Sequence, residues 1–317
     1  MPEPPSEKHQ RPITPPVAIW IFSMVLGWAV NSVVVKFVTE SMPVFLAAFT
    51  RFALTVPIIA AFALYKAKGL RLPIKGLVAG ALLGALSFTQ ISLFHWGSLY
   101  TTGGRVTLFL FSYPIITPFA AHILVKEERL SSRTVLGAAV AFAGVAIALK
   151  SSLGFDPTRL KGDLLEIASA VVLATMIAAN KRFLVKFDKW KLLFWQYAVS
   201  TAMYAICVPL FETFDYSGVN QSAWLALAFQ IVAVGGYCFI SYQFVISRHP
   251  ASKVSVFFLA TPLVGMFAGQ ILREEPFEWT LLGGCFFVAA GIWIANRHST
   301  DNTEKPREKH AEHAGNA

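Results

Sequence analysis

YTTGGRVTLFLFSYPIITPFAAHILVKEERL, residues Tyr100 to Leu130, returns in outline as HPASKVSVFFLATPLVGMFAGQILREE, His249 to Glu275. At an offset of 148 residues, Arg105 falls on Lys253, Val106 on Val254, Phe109 on Phe257 and Pro114 on Pro262. Phe119, Ala120, Ile123 and Leu124 then meet identical residues at 267, 268, 271 and 272. Shortening the offset to 147 brings Lys126–Glu128 onto Arg273–Glu275, Gly137 onto Gly284 and Gly144 onto Gly291. Apolar runs match easily by chance, so the shared proline, acidic pair and glycine spacing carry the argument. The chain reads as two copies of one unit.

The solvent of that unit follows from composition. Of 317 residues, 55% are hydrophobic and only 14% charged, with a mean hydropathy of +0.56. A soluble domain is about 45–50% apolar and about 25% charged. These proportions exclude a soluble enzyme, a disordered chain and a disulfide scaffold, and leave the bilayer. The net charge of +9 fits basic cytoplasmic loops rather than nucleic acid. Cys207, Cys238 and Cys285 lie inside apolar runs without pairing or metal spacing.

A spanning helix takes about 20 apolar residues. Breaking the chain at charges, Pro/Gly clusters and polar turns predicts ten spans. The first five are Val17–Val38, Val44–Tyr65, Gly76–Ser98, Arg105–Val125 and Thr134–Leu149; the second five are Gly162–Phe183, Leu192–Phe211, Ala223–Ile246, Val254–Leu272 and Trp279–Asn296. Residues 1–16 and 297–317 are expected to be disordered tails, and 17–150 and 161–296 the two five-helix repeats. An odd number of spans per repeat inverts the second copy relative to the first, a plan recurrent in secondary transporters. The expected fold is therefore an all-α polytopic membrane protein of ten helices in two inverted repeats. Lys and Arg in alternate loops number 20 against 6, which places both termini in the cytoplasm of a multi-pass cell-membrane protein.

The chain resembles the EamA-type transporters of the drug/metabolite transporter superfamily. Trp28 with Lys36, Pro43 with Arg51, and the two repeated runs carry the likeness, which extends from about residue 17 to 296. Trp28-Ala29 stands where the family usually has Trp-Gly. The resemblance implies ten helices and, between the two repeats, a central cavity worked by alternating access.

No H-E-x-x-H, G-x-S-x-G or P-loop occurs, so no enzyme or cofactor is expected. The chemistry must come from polar groups inside the spans. Gly80, Gly84, Ser87, Gln90 and Phe94 share one face of span three, the two glycines suiting helix packing. Trp28 with Asn31, Met176 with Asn180, Tyr113 and Tyr242 complete a candidate substrate lining of amides, hydroxyls and aromatics. Arg105 and Lys253, at the starts of symmetry-related helices where a cation is disfavoured, are candidate gates. Arg51 reads as snorkelling to the outer interface, Glu166 as a shallow acid in the first turns of its helix, and His95 as an interfacial histidine.

Mid-depth lacks the clustered bases a phosphate needs and the carboxylate a cation favours. The lining suits a small amphipathic solute such as an amino acid, exported across the membrane. The alternatives are a phosphorylated or cationic metabolite or drug and, further off, a membrane enzyme. Expected partners are the bilayer and a small-molecule substrate, without nucleic acid; a homodimer is compatible with the sequence.

Overall fold

The computed structural model describes residues 12–101, 106, 109–126, 128–148, 157–273 and 280–296. Among them every regular element is helical. In chain order these are α1 (Pro15–Thr39), α2 (Val44–Ala67), α3 (Ile74–Tyr100), α4 (Tyr113–Leu124), α5 (Ser132–Ala148), α6 (Leu160–Leu184), α7 (Lys189–Phe211), α8 (Gln221–Ile246), α9 (Ala251–Phe257), α10 (Thr261–Arg273) and α11 (Thr280–Asn296). Six of them, α1 to α3 and α6 to α8, are long and apolar enough to cross a membrane, and shorter apolar helices accompany them.

Proline sets several starts, because its missing N–H is one the first turn cannot satisfy anyway. α1 opens on Pro15 and Pro16, while α2, α3 and α9 follow Pro43, Pro73 and Pro250. A proline start supplies no side-chain cap, and two distant carboxylates cover the need. Glu212, just past α7, accepts from the amides of Phe45 (3.0 Å) and Leu46 (2.8 Å) on α2. Glu128, after α4, accepts from Ala251 N (2.7 Å), Ser252 N (3.2 Å) and Ser252 Oγ (3.0 Å) on α9. Each pairs an anion with the positive end of a helix dipole.

Pro114 and Pro262, the prolines shared by the two repeated runs, mark breaks in the helical chain. The helical chain at Phe109 and Leu110 runs into a turn at Phe111–Ser112, and Pro114 sits in the first turn of the new helix α4. Likewise α9 passes through a 3-10 turn, Phe258–Ala260, and Pro262 is the second residue of α10. Helix α8 is π-helical over Gln230–Cys238, where Gly235 admits Thr55 of α2.

Helices pair mostly between the two sequence halves. α3 packs on α6 and α7, α8 on α1 and α2, α4 on α6, α10 on α1, α2 on α7, and α5 on α11. The α5–α11 seam is made by glycine: a Cβ at Gly137 would meet the carbonyl of Gly291, and one at Gly144 that of Gly284. Gly80 and Gly84 of α3 similarly admit Trp195 and Val199 of α7. Small residues permit such close approach.

Burial is inverted relative to a soluble protein. Ile123 and Ile271 are 79% and 80% exposed, whereas Gln90, Ser169, Lys181, Gln196 and Gln243 are buried. This is a multi-pass membrane protein, its apolar exterior suited to lipid.

Candidate functional site

Six helices and the α9–α10 turn converge on a cavity. α1 contributes Trp28, Asn31 and Ser32, α2 Arg51, and α3 Ser87, Gln90, Ile91 and Phe94. The remaining wall is Leu110, Phe111 and Tyr113 around the start of α4, Leu173, Met176 and Ile177 of α6, Phe239 and Tyr242 of α8, and Phe258. The cavity encloses about 120 Å³, of the order of an engineered pocket that takes up one benzene ring.

One side is aromatic. The Trp28 ring meets Phe258 at 5.0 Å, Phe239 at 5.5 Å and Tyr242 at 5.8 Å between centroids, all edge-to-face. The polar side is partly spent and partly free. Gln90 Nε2 donates to Ser169 Oγ (3.0 Å), which donates back to the Gln90 carbonyl (3.1 Å), so this amide ties α3 to α6. Asn31 Oδ1 and Tyr242 Oη are buried with no hydrogen-bond partner among the described residues. Buried polar atoms are normally satisfied, so these two mark places where a bound molecule has something to supply.

Access is one-sided. Near the end where α1 stops, a second cavity of about 250 Å³ lined by Lys36, Thr39, Glu40 and Ser98 shares Ser32, Phe94, Leu110 and Phe111 with the first. Near the end where α1 begins, a cleft between Thr14, Val17, Trp20, Phe244 and Arg248 shares no residue with the central cavity. Between them Ile21, Met24 and Val25 are fully buried, and Trp20 packs on Phe244 at 5.2 Å.

Of the residues singled out from sequence, Trp28, Asn31, Ser87, Gln90, Phe94, Tyr113, Met176 and Tyr242 meet in this one cavity. Asn180 does not. It lies one turn beyond Met176, where its Nδ2 donates to Gln243 Oε1 (2.7 Å) and its Oδ1 accepts from Gln243 Nε2 (3.3 Å). Its amide is engaged with Gln243 in the packed layer rather than lining the cavity. Arg105 lies outside the described residues. Lys253 is half-buried in the first turn of α9, and the group that grips this helix end is Glu128.

Three ionisable residues sit differently from expectation. Arg51 is 3% exposed and faces the central cavity rather than the interface. His95 is buried rather than interfacial. Glu166 is fully buried beneath Gly97, its carboxyl oxygens without hydrogen bonds. Depth along a helix can be read from sequence, but which flank faces protein cannot, since lipid and core are both apolar.

A profile of the EamA-like transporter family matches residues 15–150 and again 160–297. The chain belongs to the EamA-like transporter family. EamA-like proteins fall within the drug/metabolite transporter superfamily, and this one is a membrane transporter, not an enzyme. It is 25% identical over 285 residues to a probable amino-acid metabolite efflux pump of Salmonella typhimurium, covering 86% of this chain and 91% of that one. An S-adenosylmethionine uptake transporter of Rickettsia prowazekii is 24% identical over 277 residues, 87% and 90% of the two chains. An uncharacterized transporter of Archaeoglobus fulgidus is 27% identical over 221 residues, 67% and 76% of the two. One crystal structure superimposes with a TM-score of 0.74 at 21% identity, covering 88% of this chain and 95% of that one. That likeness shows a shared fold.

Proposed function

We propose that this EamA-like protein exports a small amphipathic metabolite of the amino-acid class across the cell membrane by alternating access. The observation that carries the reading is the cavity, which sets an aromatic wall around Trp28 against the unpartnered Asn31 Oδ1 and Tyr242 Oη. Such a surface suits a solute with an apolar side chain and a polar head. Two relatives are named for amino-acid metabolites and for S-adenosylmethionine, which supports the amino-acid class. Trp28, Asn31, Ser87, Gln90, Phe94, Tyr113, Met176 and Tyr242 are the proposed binding residues, and Lys253 is a proposed gate.

The scaffold in this reading has ten spans, both termini in the cytoplasm, and two inverted five-helix repeats. The double profile match supports it. So does the packing, since exchanging the halves carries α3–α6 onto α8–α1 and the Gly137–Gly291 contact onto Gly284–Gly144. With the termini inside, the closed end is cytoplasmic and the cavity faces outward.

Purified protein in liposomes, tested with a labelled-solute panel, decides the substrate class. Hydrophobic amino acids should compete more strongly than sugar phosphates; the opposite order would remove the amino-acid reading.

A further inference from the structure

Arg51 is the one charged side chain among the described residues that line the central cavity. It lies two turns into α2 and is 3% exposed, yet its guanidinium makes no hydrogen bond or ion pair with the described residues. Its ring neighbour is Phe52, with 5.9 Å between the guanidinium carbon and the ring centroid. The titratable side chains within its electrostatic reach are Tyr197, Tyr204 and Cys238, with His95 on the α3 side. No carboxylate is among them.

A lone cation inside a membrane protein is costly, and where one persists it marks a solute path or a partner. The fold has not paired Arg51 internally, and its planar fork of donors matches a carboxylate in bidentate geometry. The other free polar atoms of the same cavity have the complementary sense: Asn31 Oδ1 is an acceptor, and Tyr242 Oη can accept. A zwitterion presents one group for each.

We infer that Arg51 anchors the carboxylate of the transported solute. The ammonium group of the solute turns to Asn31 Oδ1 and Tyr242 Oη, and its apolar side chain lies on the Trp28–Phe239–Phe258 wall. The inference rests on the proposal that this cavity holds the solute, and it specifies which solutes qualify: those with a carboxylate. It places the anionic contact on α2 rather than on bases at the helix ends. Lysine at this position would keep the charge but lose the fork.

The test is ligand binding to purified full-length protein with three matched probes: L-phenylalanine, 3-phenylpropionate (no ammonium) and phenylalaninamide (no carboxylate). Wild type should bind both carboxylates at least tenfold more tightly than the amide. Arg51→Gln should abolish that preference while the amide binds as before, and Arg51→Lys should retain part of it. An unchanged preference in a folded Arg51→Gln protein would overturn the assignment, as would equal affinity of wild type for acid and amide. Should no phenyl probe bind wild type, the amino-acid reading fails by itself. Succinate, pyruvate and inorganic phosphate then decide Arg51: binding of any of them that Arg51→Gln abolishes upholds an anion anchor, and binding of none overturns it.

Discussion

Lys181 and Arg51 are both cations buried to within a few per cent of completeness, and the fold treats them in opposite ways. Lys181 Nζ donates to the carbonyls of Ile246 and His249, each at 2.8 Å, and so ties the end of α6 to the loop between α8 and α9. The Arg51 guanidinium has no hydrogen bond to the described residues and faces a cavity. Burial and charge are common to both, so neither marks function. What separates them is whether the protein itself satisfies the donors. A satisfied cation is part of the scaffold; an unsatisfied one in a cavity wall is held for something that arrives.

Substitution by methionine separates the two most sharply. Arg51→Met removes an uncompensated buried charge, so melting temperature should hold or rise. Transport of a carboxylate solute should fall about 100-fold, from the loss of two charge-assisted bonds worth about 1.5 kcal/mol each. Lys181→Met should do the reverse, lowering stability by about 2–3 kcal/mol with solute preference intact. A melting curve and an uptake assay on both variants suffice. If the two respond alike, the distinction collapses.

A smaller effect is expected at Glu128. Glu128→Gln keeps shape but weakens the charged cap on α9 by about 1–2 kcal/mol, so the closed end should open more often. Thiol labelling of a Met24→Cys reporter, fully buried in the closed layer, should accelerate roughly tenfold by the same arithmetic. An unchanged labelling rate would remove Glu128 from the closure. Smallest is Lys253→Gln, for which uptake should drop about two- to threefold, the effect of under ~1 kcal/mol typical of a partly solvated charge. A larger loss would restore Lys253 as a principal gate.

The contrast also explains what could be read in advance. Ser87 and Gln90 were legible because polar residues at helical spacing stand out in an apolar run, and Phe94 follows on the same face. Trp28 with Asn31 stood out for the same reason. Arg51 differs from expectation because most of α2 is apolar, and the few polar neighbours, Thr50 and Thr55, do not by themselves say whether their side faces lipid headgroups or protein. Asn180 follows Met176 at helical spacing, but its amide pairs with Gln243, 63 residues away, a partner that local spacing does not reveal. Glu128 was visible only as part of a repeated acidic pair, since its contact with α9 spans 123 residues. Helix existence followed from local composition; the roles of the charges followed from tertiary partners.

The most direct test of the central claim, that this cavity is the transport site, is phenylalanine exchange in proteoliposomes by the Trp28→Ala, Asn31→Ala double variant. Removing the aromatic wall and a free acceptor together should reduce exchange at least tenfold in a protein that still melts cooperatively and reconstitutes normally. Exchange at the wild-type rate in that variant would contradict the account and move the solute path out of the cavity.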